Sequence, residues 1–377
     1  MTRQPPGPSS DVPQRGDQTL FSTYLDCSMA YQINVLPSGR QFQAEDGETI
    51  LAAALRQGIG LPYGCKNGAC GSCKGHVREG SIVQGNHSPN ALTAQETTEG
   101  RALFCCATPA SDVTIEVREV HGAGDVPIKK VPCRVASLEK AAPDVTIVKL
   151  QLPATERMQF LAGQYVEFIL RDGKRRSYSL ANPPHADGPI ELHIRHMPGG
   201  AFTDYVFGVK EGQPAMKERD ILRFEGPLGS FFLREESDKP IILLASGTGF
   251  APIKAIIEHA QFVGLKRPMT LYWGGRRPQD LYMHAQAEAW TRALPNFQYV
   301  PVISDARPED AWTGRTGFVH QAVMADHPDL SAHEVYACGA PVMVNAARTD
   351  FAAQCRMHPD AFFADSFTSE ADLHPAG

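Results

Sequence analysis

The sequence of 377 residues lacks several features that would point to whole classes of protein. No apolar run approaches the ~20 residues needed to cross a bilayer, and the N-terminus has no apolar core of a signal peptide. There is no basic block, and a net charge of −6 gives nucleic acid little to bind. The nine cysteines are an odd number, which disfavours a secreted disulfide framework. We therefore expect a cytoplasmic protein of two or three globular domains, without a membrane span or a nucleic-acid partner.

What the sequence does contain is a run of closely spaced cysteines. Cys65, Cys70 and Cys73 follow the spacing C-x4-C-x2-C, and Cys105 follows after a long gap. This is the ligand spacing of a plant-type 2Fe-2S ferredoxin, and the intervening glycines allow a loop to fold tightly around the cluster. The alternatives are a structural zinc site, which usually combines two C-x2-C pairs, and buried inert thiols. The spacing predicts a one-electron carrier with these four cysteines as ligands.

The fourth ligand is ambiguous because Cys106 directly follows Cys105. The segment from Cys105 to Asp112 resembles the end of the plant-type ferredoxin motif with Cys105 as the ligand, which leaves Cys106 as a small buried side chain. The neighbouring patterns agree with such a domain. They predict a hairpin at 31–43, a helix at 48–57, a capping box at Thr93 and Glu96, and a half-buried strand at 113–117.

Changes in composition suggest where the domains begin and end. The first residues are rich in Pro, Ser, Gln and Gly, which is typical of a disordered tail, and a Gly/Pro stretch after Val120 is typical of a linker. We expect a tail at 1–28, the cluster domain at 29–122, a linker at 123–130, a second domain at 131–236 and a third at 237–377.

The third domain begins with the most apolar strand of the chain, at 240–245. It leads into Gly247, Thr248 and Gly249 and then an amphipathic helix at 253–262, as at the start of a doubly wound α/β domain. Alone, this glycine pattern indicates no more than a tight turn. Here the alternation continues, with strands expected at 269–273, 299–303 and 335–337 and helices at 282–294, 319–326 and 342–355. The helix N-terminus after Gly249 is suited to bind a pyrophosphate.

The second domain contains short strand-like runs separated by turns, at 146–152, 165–170, 190–195 and 220–224. This spacing is typical of an antiparallel barrel. Its sharpest feature is the run Arg176, Ser177, Tyr178, Ser179, in which Arg can hold a phosphate, Tyr can stack on a flat ring and Ser can hydrogen-bond a flavin nitrogen. The tetrapeptide becomes specific only together with the motifs around it.

Together these motifs resemble the ferredoxin–NADP reductase superfamily, in its subgroup with an N-terminal 2Fe-2S ferredoxin domain. That subgroup includes reductase components of oxygenases and the reductase of a CDP-6-deoxy-hexulose dehydrase system. The resemblance covers about 29–370. It implies a multidomain α+β and α/β architecture: a β-grasp ferredoxin domain, an antiparallel β-barrel FAD domain and a doubly wound parallel-sheet NAD(P) domain.

The resemblance also implies roles for single residues. In the barrel, the FAD contacts would come from Arg176, Tyr178, Ser179, His193, Ile194, Arg195, Gly200, Ala201, Phe202 and Thr203. In the third domain, the NAD(P) contacts would come from Gly247, Thr248, Gly249, Ala251, Pro252, Cys338, Gly339 and Pro341. Ser179 and Cys338 would flank the site of hydride transfer. Phe367 is the nearest candidate for the aromatic residue that covers the flavin in many members, and Asp365 is a candidate for a nearby carboxylate.

The expected chemistry follows from these parts, because nicotinamide gives up two electrons together whereas a 2Fe-2S cluster accepts one. Flavin can take two and release them singly. The expected route is NAD(P)H to FAD to the cluster to a separate acceptor protein, such as an oxygenase component or a deoxysugar dehydrase. The alternative is a redox sensor that binds flavin and cluster without turnover. Arg276 follows the second strand of the third domain, where an acid would favour NADH and an arginine a 2′-phosphate. The resemblance to oxygenase reductases slightly favours NADH.

Overall fold

The structure is a computed structural model that describes residues 30–120, 122, 126–209, 212 and 214–368. The expected N-terminal tail at 1–28 and residues 123–125 of the expected linker lie outside the described residues. Three units follow one another along the chain. We refer to them as the ferredoxin-like unit (30–120), the barrel (126–234) and the C-terminal unit (240–368). No helix in these parts of the chain is both long and apolar enough to cross a membrane.

The ferredoxin-like unit is a five-stranded sheet with one helix packed into its core. The sheet order is β2-β1-β7-β3-β5, with β1 parallel to β7, and a separate ribbon pairs β4 with β6. Helix α1 begins after Thr49, whose hydroxyl accepts from the Ala52 N–H, and its apolar face is buried. The elements are β1 (Ala30–Leu36), β2 (Gln41–Glu45), α1 (Ile50–Arg56), β3 (Lys74–Glu79), β4 (Ile82–Gln84), α2 (Ala94–Thr98), β5 (Arg101–Leu103), β6 (Ala107–Pro109) and β7 (Val113–Glu116).

The barrel contains six antiparallel strands in the order β11-β10-β13-β8-β9-β12. A bridge between Leu180 and Leu192 joins the two edges of this order, so the sheet closes as the sequence predicts. The elements are β8 (Lys129–Ala142), β9 (Val145–Gln151), β10 (Tyr165–Ile169), β11 (Arg175–Ser179), β12 (Ile190–Arg195), α3 (Ala201–Phe207) and β13 (Ile221–Leu228).

Strand β8 is absent from the sequence-based expectations, and it begins inside the stretch expected to be a linker. Its pairing with β9 shifts register between Val135 and Ser137 and again between Lys140 and Ala142. Each shift interrupts the alternation of buried and exposed residues that identifies a strand in sequence.

The C-terminal unit is a parallel six-stranded sheet in the order β17-β16-β15-β14-β18-β19. Apolar clusters on its two faces account for the near-continuous hydrophobic run of β14. The elements are β14 (Ile241–Ser246), α4 (Phe250–Phe262), β15 (Met269–Gly275), α5 (His284–Ala293), β16 (Phe297–Ile303), β17 (Arg315–Thr316), α6 (Val319–Asp326), β18 (Glu334–Gly339), α7 (Pro341–Gln354) and β19 (Phe362–Ser366).

The ferredoxin-like unit packs directly against the barrel. The Tyr165 hydroxyl donates to the Gly64 carbonyl oxygen at 2.6 Å, and the Tyr63 N–H donates to Ser230 Oγ at 2.9 Å. Tyr165 and Leu228 also belong to the apolar core of the ferredoxin-like unit. Since Gly64 precedes the first of the clustered cysteines, these contacts fix the cysteine loop against the barrel.

Candidate functional site

The four cysteines with ferredoxin spacing come together at the face of the ferredoxin-like unit that meets the barrel. Cys70, Cys73 and Cys105 are buried, and Cys65 is partly exposed. In the described part of the chain, no three metal-binding side chains surround one point as the ligands of a single ion would. The Cys65 N–H instead donates to Cys70 Sγ at 3.4 Å and the Cys70 N–H donates to Cys65 Sγ at 3.3 Å, while Cys73 and Cys105 lie together in the apolar core of the unit. Four cysteine ligands suit a cluster of two irons, each of which takes two protein ligands beside two sulfides.

The loop around Cys70 supplies the polar contacts that a metal-bound thiolate needs. The N–H groups of Cys65 and Ser72 lie 3.4 and 3.5 Å from Cys70 Sγ, and the Ser72 hydroxyl lies 3.4 Å away. The contact with the Cys65 thiol, followed by these polar groups, lowers the pKa of the Cys70 thiol below its ordinary value in spite of burial. The residues present therefore fit a 2Fe-2S cluster.

Cys106 lies beside the cysteine set, with its sulfur 3.4 Å from Cys105 Sγ. It is partly exposed rather than buried. Cys105 is buried in the same apolar core as Cys73, whereas Cys106 packs against that core from outside and is only partly buried. This geometry fits Cys105 as the ligand, and the assignment remains a prediction.

One cavity of about 1810 Å³ lies where the three units meet. Its wall includes Cys65 from the ferredoxin-like unit, Tyr178 from the barrel and Thr248 from the C-terminal unit. A single small-molecule site usually occupies ~300–1,000 Å³, so this space accommodates a flavin dinucleotide together with part of a second nucleotide.

Strand β11 brings the predicted flavin-binding residues to the cavity wall. Arg176, Tyr178 and Ser179 all line it, with Ser179 buried. The Tyr178 ring packs edge-on against Phe168 and at a tilt against Phe202, so its orientation is fixed. Of the other predicted FAD contacts, those that line the cavity are His193, Arg195, Gly200, Phe202 and Thr203. Ile194 instead lies in the apolar core of the barrel, and Ala201 does not line the cavity.

Arg195 has the surroundings expected of a phosphate-binding group. Its Nε and Nη2 atoms are buried without a hydrogen-bond partner, although carboxylate oxygens of Asp144 and Asp280 lie 3.1 and 3.6 Å away. A methyl group placed on Gly247 would lie 2.7 Å from Arg195 Nη1. Barrel and C-terminal unit thus bring a guanidinium and a glycine turn together at the cavity, and both groups suit the phosphates of a nucleotide. Arg195, together with Arg176, Tyr178 and Ser179 of the barrel, fits FAD.

The His193 side chain is turned away from such a ligand and joins a buried polar network, composed of Glu191, His193, Lys254 and Tyr282. His193 Nε2 lies 3.0 Å from Glu191 Oε1, and its Nδ1 lies 2.8 Å from the Tyr282 hydroxyl. Burial lowers the pKa of His193, against the effect of Glu191. A neutral imidazole then donates from Nε2 to the Glu191 carboxylate and accepts a hydrogen bond from the Tyr282 hydroxyl at Nδ1. Only the backbone of His193 remains available to a cofactor.

Lys254 completes this network from helix α4. Its ammonium lies 3.2 Å from Glu191, 3.0 Å from Glu258 and 3.2 Å from the Ala181 carbonyl oxygen. Burial alone would raise the pKa of Glu191, but the hydrogen bond from His193 and the charge of Lys254 outweigh it and bring this pKa to about 2. The network links the barrel to the C-terminal unit directly behind the cavity.

The glycine turn after β14 lies close to strand β18. A methyl group on Gly249 would lie 2.1 Å from the Cys338 carbonyl oxygen, so this position accepts no side chain. Gly247, Thr248, Ala251 and Pro341 line the cavity or its edge, whereas Gly249, Pro252 and Gly339 lie behind the wall. The Cys338 thiol is also fully buried in the apolar core, and burial raises its pKa well above the ordinary value.

Strand β19 brings two further predicted residues to the cavity. Phe367 lines it, is 37% exposed and is anchored by a hydrogen bond from its N–H to the Gly339 carbonyl oxygen. Asp365 also lines the cavity and lies 3.4 Å from a methyl group placed on Gly64, beside the cysteine loop. Burial, followed by the charge of Cys70, raises the pKa of Asp365 to about 7.

Arg276, which the sequence pattern relates to the choice between NADH and a coenzyme with a 2′-phosphate, lines the cavity. Sequence reasoning missed other lining residues, among them Thr49 directly before α1, Leu51 within α1 and Ser304 of the C-terminal unit. Their neighbours in sequence give no signal of this, because the lining depends on how the units pack together. Lys254 did leave a signal, since it interrupts an otherwise apolar run in α4.

Comparison with known proteins identifies a family-model match for each unit. The models are described as a 2Fe-2S iron-sulfur cluster binding domain at residues 33–110, an oxidoreductase FAD-binding domain at 132–233 and an oxidoreductase NAD-binding domain at 243–349.

Relatives align along almost their whole length. The CDP-6-deoxy-L-threo-D-glycero-4-hexulose-3-dehydrase reductase of Yersinia pseudotuberculosis is 40% identical over 90% of this chain and 99% of its own. Reductase component 1 of terephthalate 1,2-dioxygenase from Comamonas sp. is 37% identical over 92% of this chain and 100% of its own. Among solved structures, the Amycolatopsis cytochrome P450 reductase GcoB has a TM-score of 0.72 and 34% identity, over 90% of this chain and 99% of that one.

Proposed function

The chain belongs to the ferredoxin–NADP reductase superfamily, in the subgroup with an N-terminal 2Fe-2S ferredoxin domain, and on this basis we propose which residues carry its electron transfer and what receives the electrons. It is an NAD(P)H-dependent oxidoreductase with binding domains for a 2Fe-2S cluster, FAD and a nicotinamide nucleotide. The order of transfer is NAD(P)H to FAD to the cluster to a separate acceptor protein.

The observation that carries this order is the single cavity shared by the three units. Gly247 and Thr248 reach it from the nucleotide side, Tyr178 and Ser179 from the flavin side, and Cys65 from the cluster side. Bound FAD accepts two electrons as hydride and releases them one at a time. Because residues of all three units line the same cavity, FAD bound there can exchange electrons with both the nicotinamide and the cluster.

Each group of residues then has a limited task. With FAD bound, Arg176 and Arg195 would hold its negative phosphate groups, Tyr178 would stack on the flat ring and Ser179 would hydrogen-bond a flavin nitrogen. Phe367, which lines the same cavity, would cover the bound flavin. Because the Cys338 thiol is fully buried, we propose that it packs behind the nicotinamide site and does not contact the coenzyme.

The acceptor is an oxygenase component or a deoxysugar dehydrase. Support comes from relatives of both kinds, a dioxygenase reductase and a hexulose dehydrase reductase, at similar identity. We propose NADH as the coenzyme, because the chain resembles the reductase components of oxygenases. We propose the domain limits 29–122, 131–236 and 237–377 that the sequence predicts, except that strand β8 moves the start of the second domain to Lys129 and shortens the linker before it.

Cofactor analysis and turnover test this function. The purified protein should contain about one FAD per chain together with iron and sulfide, and reduction should produce the rhombic EPR signal of a 2Fe-2S cluster. NADH should be consumed steadily with ferricyanide as acceptor. A redox sensor would be reduced once and then stop, and FMN or zinc in place of these cofactors would overturn the corresponding part of the proposal.

A further inference from the structure

One segment beside the cysteine loop has an unusual composition. The stretch from Gly80 to Gln95 contains no Asp, Glu, Lys or Arg, although 21% of the chain is charged. Within it, Val83 is 61% exposed, and Asn86, Pro89 and Asn90 are also exposed. We call residues 83–90 the uncharged rim.

The uncharged rim lies directly against the cluster-binding loop. The Ser88 N–H donates to the Gly68 carbonyl oxygen at 3.1 Å, and Gly68 lies between the ligands Cys65 and Cys70. A methyl group on Gly68 would lie 2.8 Å from the Asn86 carbonyl oxygen. The Gly85 N–H donates to the carbonyl oxygen of Cys106, the neighbour of Cys105. The rim therefore contacts the loop at two of its ligand-bearing parts.

The side of the loop opposite the rim packs against the barrel and the C-terminal unit of the same chain. Gly64 is bound by Tyr165 and lies beside Asp365, and the Lys66 ammonium lies 3.4 Å from Glu167 of the barrel. A separate protein cannot reach the loop from there. Of the charged residues that flank the uncharged stretch, Lys74 pairs with Glu96 at 2.6 Å and Arg78 pairs with Glu116. The uncharged rim is therefore the exposed surface beside the cluster-binding loop that the other two units leave uncovered. It carries no Asp, Glu, Lys or Arg of its own.

We propose that the uncharged rim is the docking surface for the acceptor protein, and that the acceptor meets it with an uncharged, hydrogen-bonding and apolar face. This inference rests on the proposed function, since it assumes that a protein takes single electrons from the cluster. An uncharged contact gives little electrostatic steering, so association should depend only weakly on salt. Recognition would come instead from shape and from groups such as the Asn86 amide and the Val83 side chain.

Added charge at the rim provides the test, with cytochrome c as a basic one-electron acceptor. For the wild type, NADH-driven cytochrome c reduction should change less than about twofold across the range in which the Debye length falls from ~30 to ~8 Å. Val83→Glu should accelerate this reaction about threefold at low salt, and Val83→Lys should slow it by a similar factor, since one charge at ~6 Å in water has an effect of that size. Asn86→Asp, which is nearly isosteric, should act like Val83→Glu.

Ile221→Glu is the matched control, because Ile221 is 70% exposed but lies on β13 of the barrel. It should leave cytochrome c reduction unchanged, and all variants should keep wild-type iron content and ferricyanide reduction. Equal effects of Val83→Glu and Ile221→Glu, or a steep salt dependence of the wild type, would overturn the rim as the docking surface. So would a change of oligomeric state in Val83→Glu on sedimentation, because it would identify the rim as a contact between copies. A loaded wild type that reduces ferricyanide but not cytochrome c would instead contradict the proposed function.

Discussion

Replacing Glu191 by glutamine should destabilise the protein strongly near neutral pH and less in acid. Glu191 is the carboxylate of the buried network, with its side chain 15% exposed, and its pKa falls from 4.5 to about 2 on folding. A shift of this size corresponds to about 3 kcal/mol of stability at pH 7. Because the pKa is lowered in the folded state, the contribution is complete above pH 4.5 and is lost as pH falls toward 2. At pH 3.5 it should be about 2 kcal/mol.

Urea unfolding followed by tryptophan fluorescence measures this loss. All three tryptophans lie in the C-terminal unit, and the Trp273 ring lies 5.3 Å from Tyr282 of the network. Glu191→Gln should lower the unfolding free energy by about 3 kcal/mol at pH 7 and by about 2 kcal/mol at pH 3.5. Lys254→Met in the same background should reveal a coupling of at least ~1 kcal/mol between the two residues. A loss below ~0.5 kcal/mol that does not vary with pH would refute the assigned role of the network.

Four further substitutions test single parts of the site. Cys105→Ser should lose most of the iron, because thiolate donation holds the cluster, whereas Cys106→Ser should retain its iron. Iron analysis of both variants measures this difference. The reverse pattern would identify Cys106 as the ligand. Gly249→Ala places a methyl group 2.1 Å from a backbone oxygen and should lower the free energy of unfolding by ~2 kcal/mol or more. The variant should show a lower thermal midpoint and a raised KM for NADH. Wild-type values of both would mean that the turn is not tightly packed. Arg176→Ala should raise the dissociation constant of FAD by at least about tenfold, measured by flavin fluorescence, and unchanged affinity would remove Arg176 from the phosphate site.

The sequence predicts the parts of this protein better than their assembly. The cysteine spacing, the Gly247 to Gly249 turn and the run from Arg176 to Ser179 depend on local chemistry, which neighbouring residues specify. The sequence does not predict strand β8, because two register shifts interrupt its alternation of buried and exposed residues. Strand β19 is short, and its pairing with β18 is set by distant residues.

The network behind the cavity was beyond sequence reasoning for a different reason. His193 was expected to contact FAD, yet both of its ring nitrogens face Glu191 and Tyr282. Tyr282 is 89 residues away in sequence. Such a pairing depends on how the barrel and the C-terminal unit pack together, which no local pattern encodes. The same holds for Tyr165 and Gly64, which fix the cluster loop against the barrel.

The Cys70→Ser variant distinguishes electron exit through the cluster from electron exit through the flavin. The measurement compares NADH-driven reduction of ferricyanide, which can take electrons from flavin, with reduction of cytochrome c, which depends on the one-electron exit. We expect Cys70→Ser to keep its FAD and its ferricyanide activity while losing most cytochrome c reduction. Arg176→Ala should slow both reactions together. A Cys70→Ser protein without its cluster that still reduced cytochrome c at the full rate would show that electrons leave from the flavin, contrary to this account.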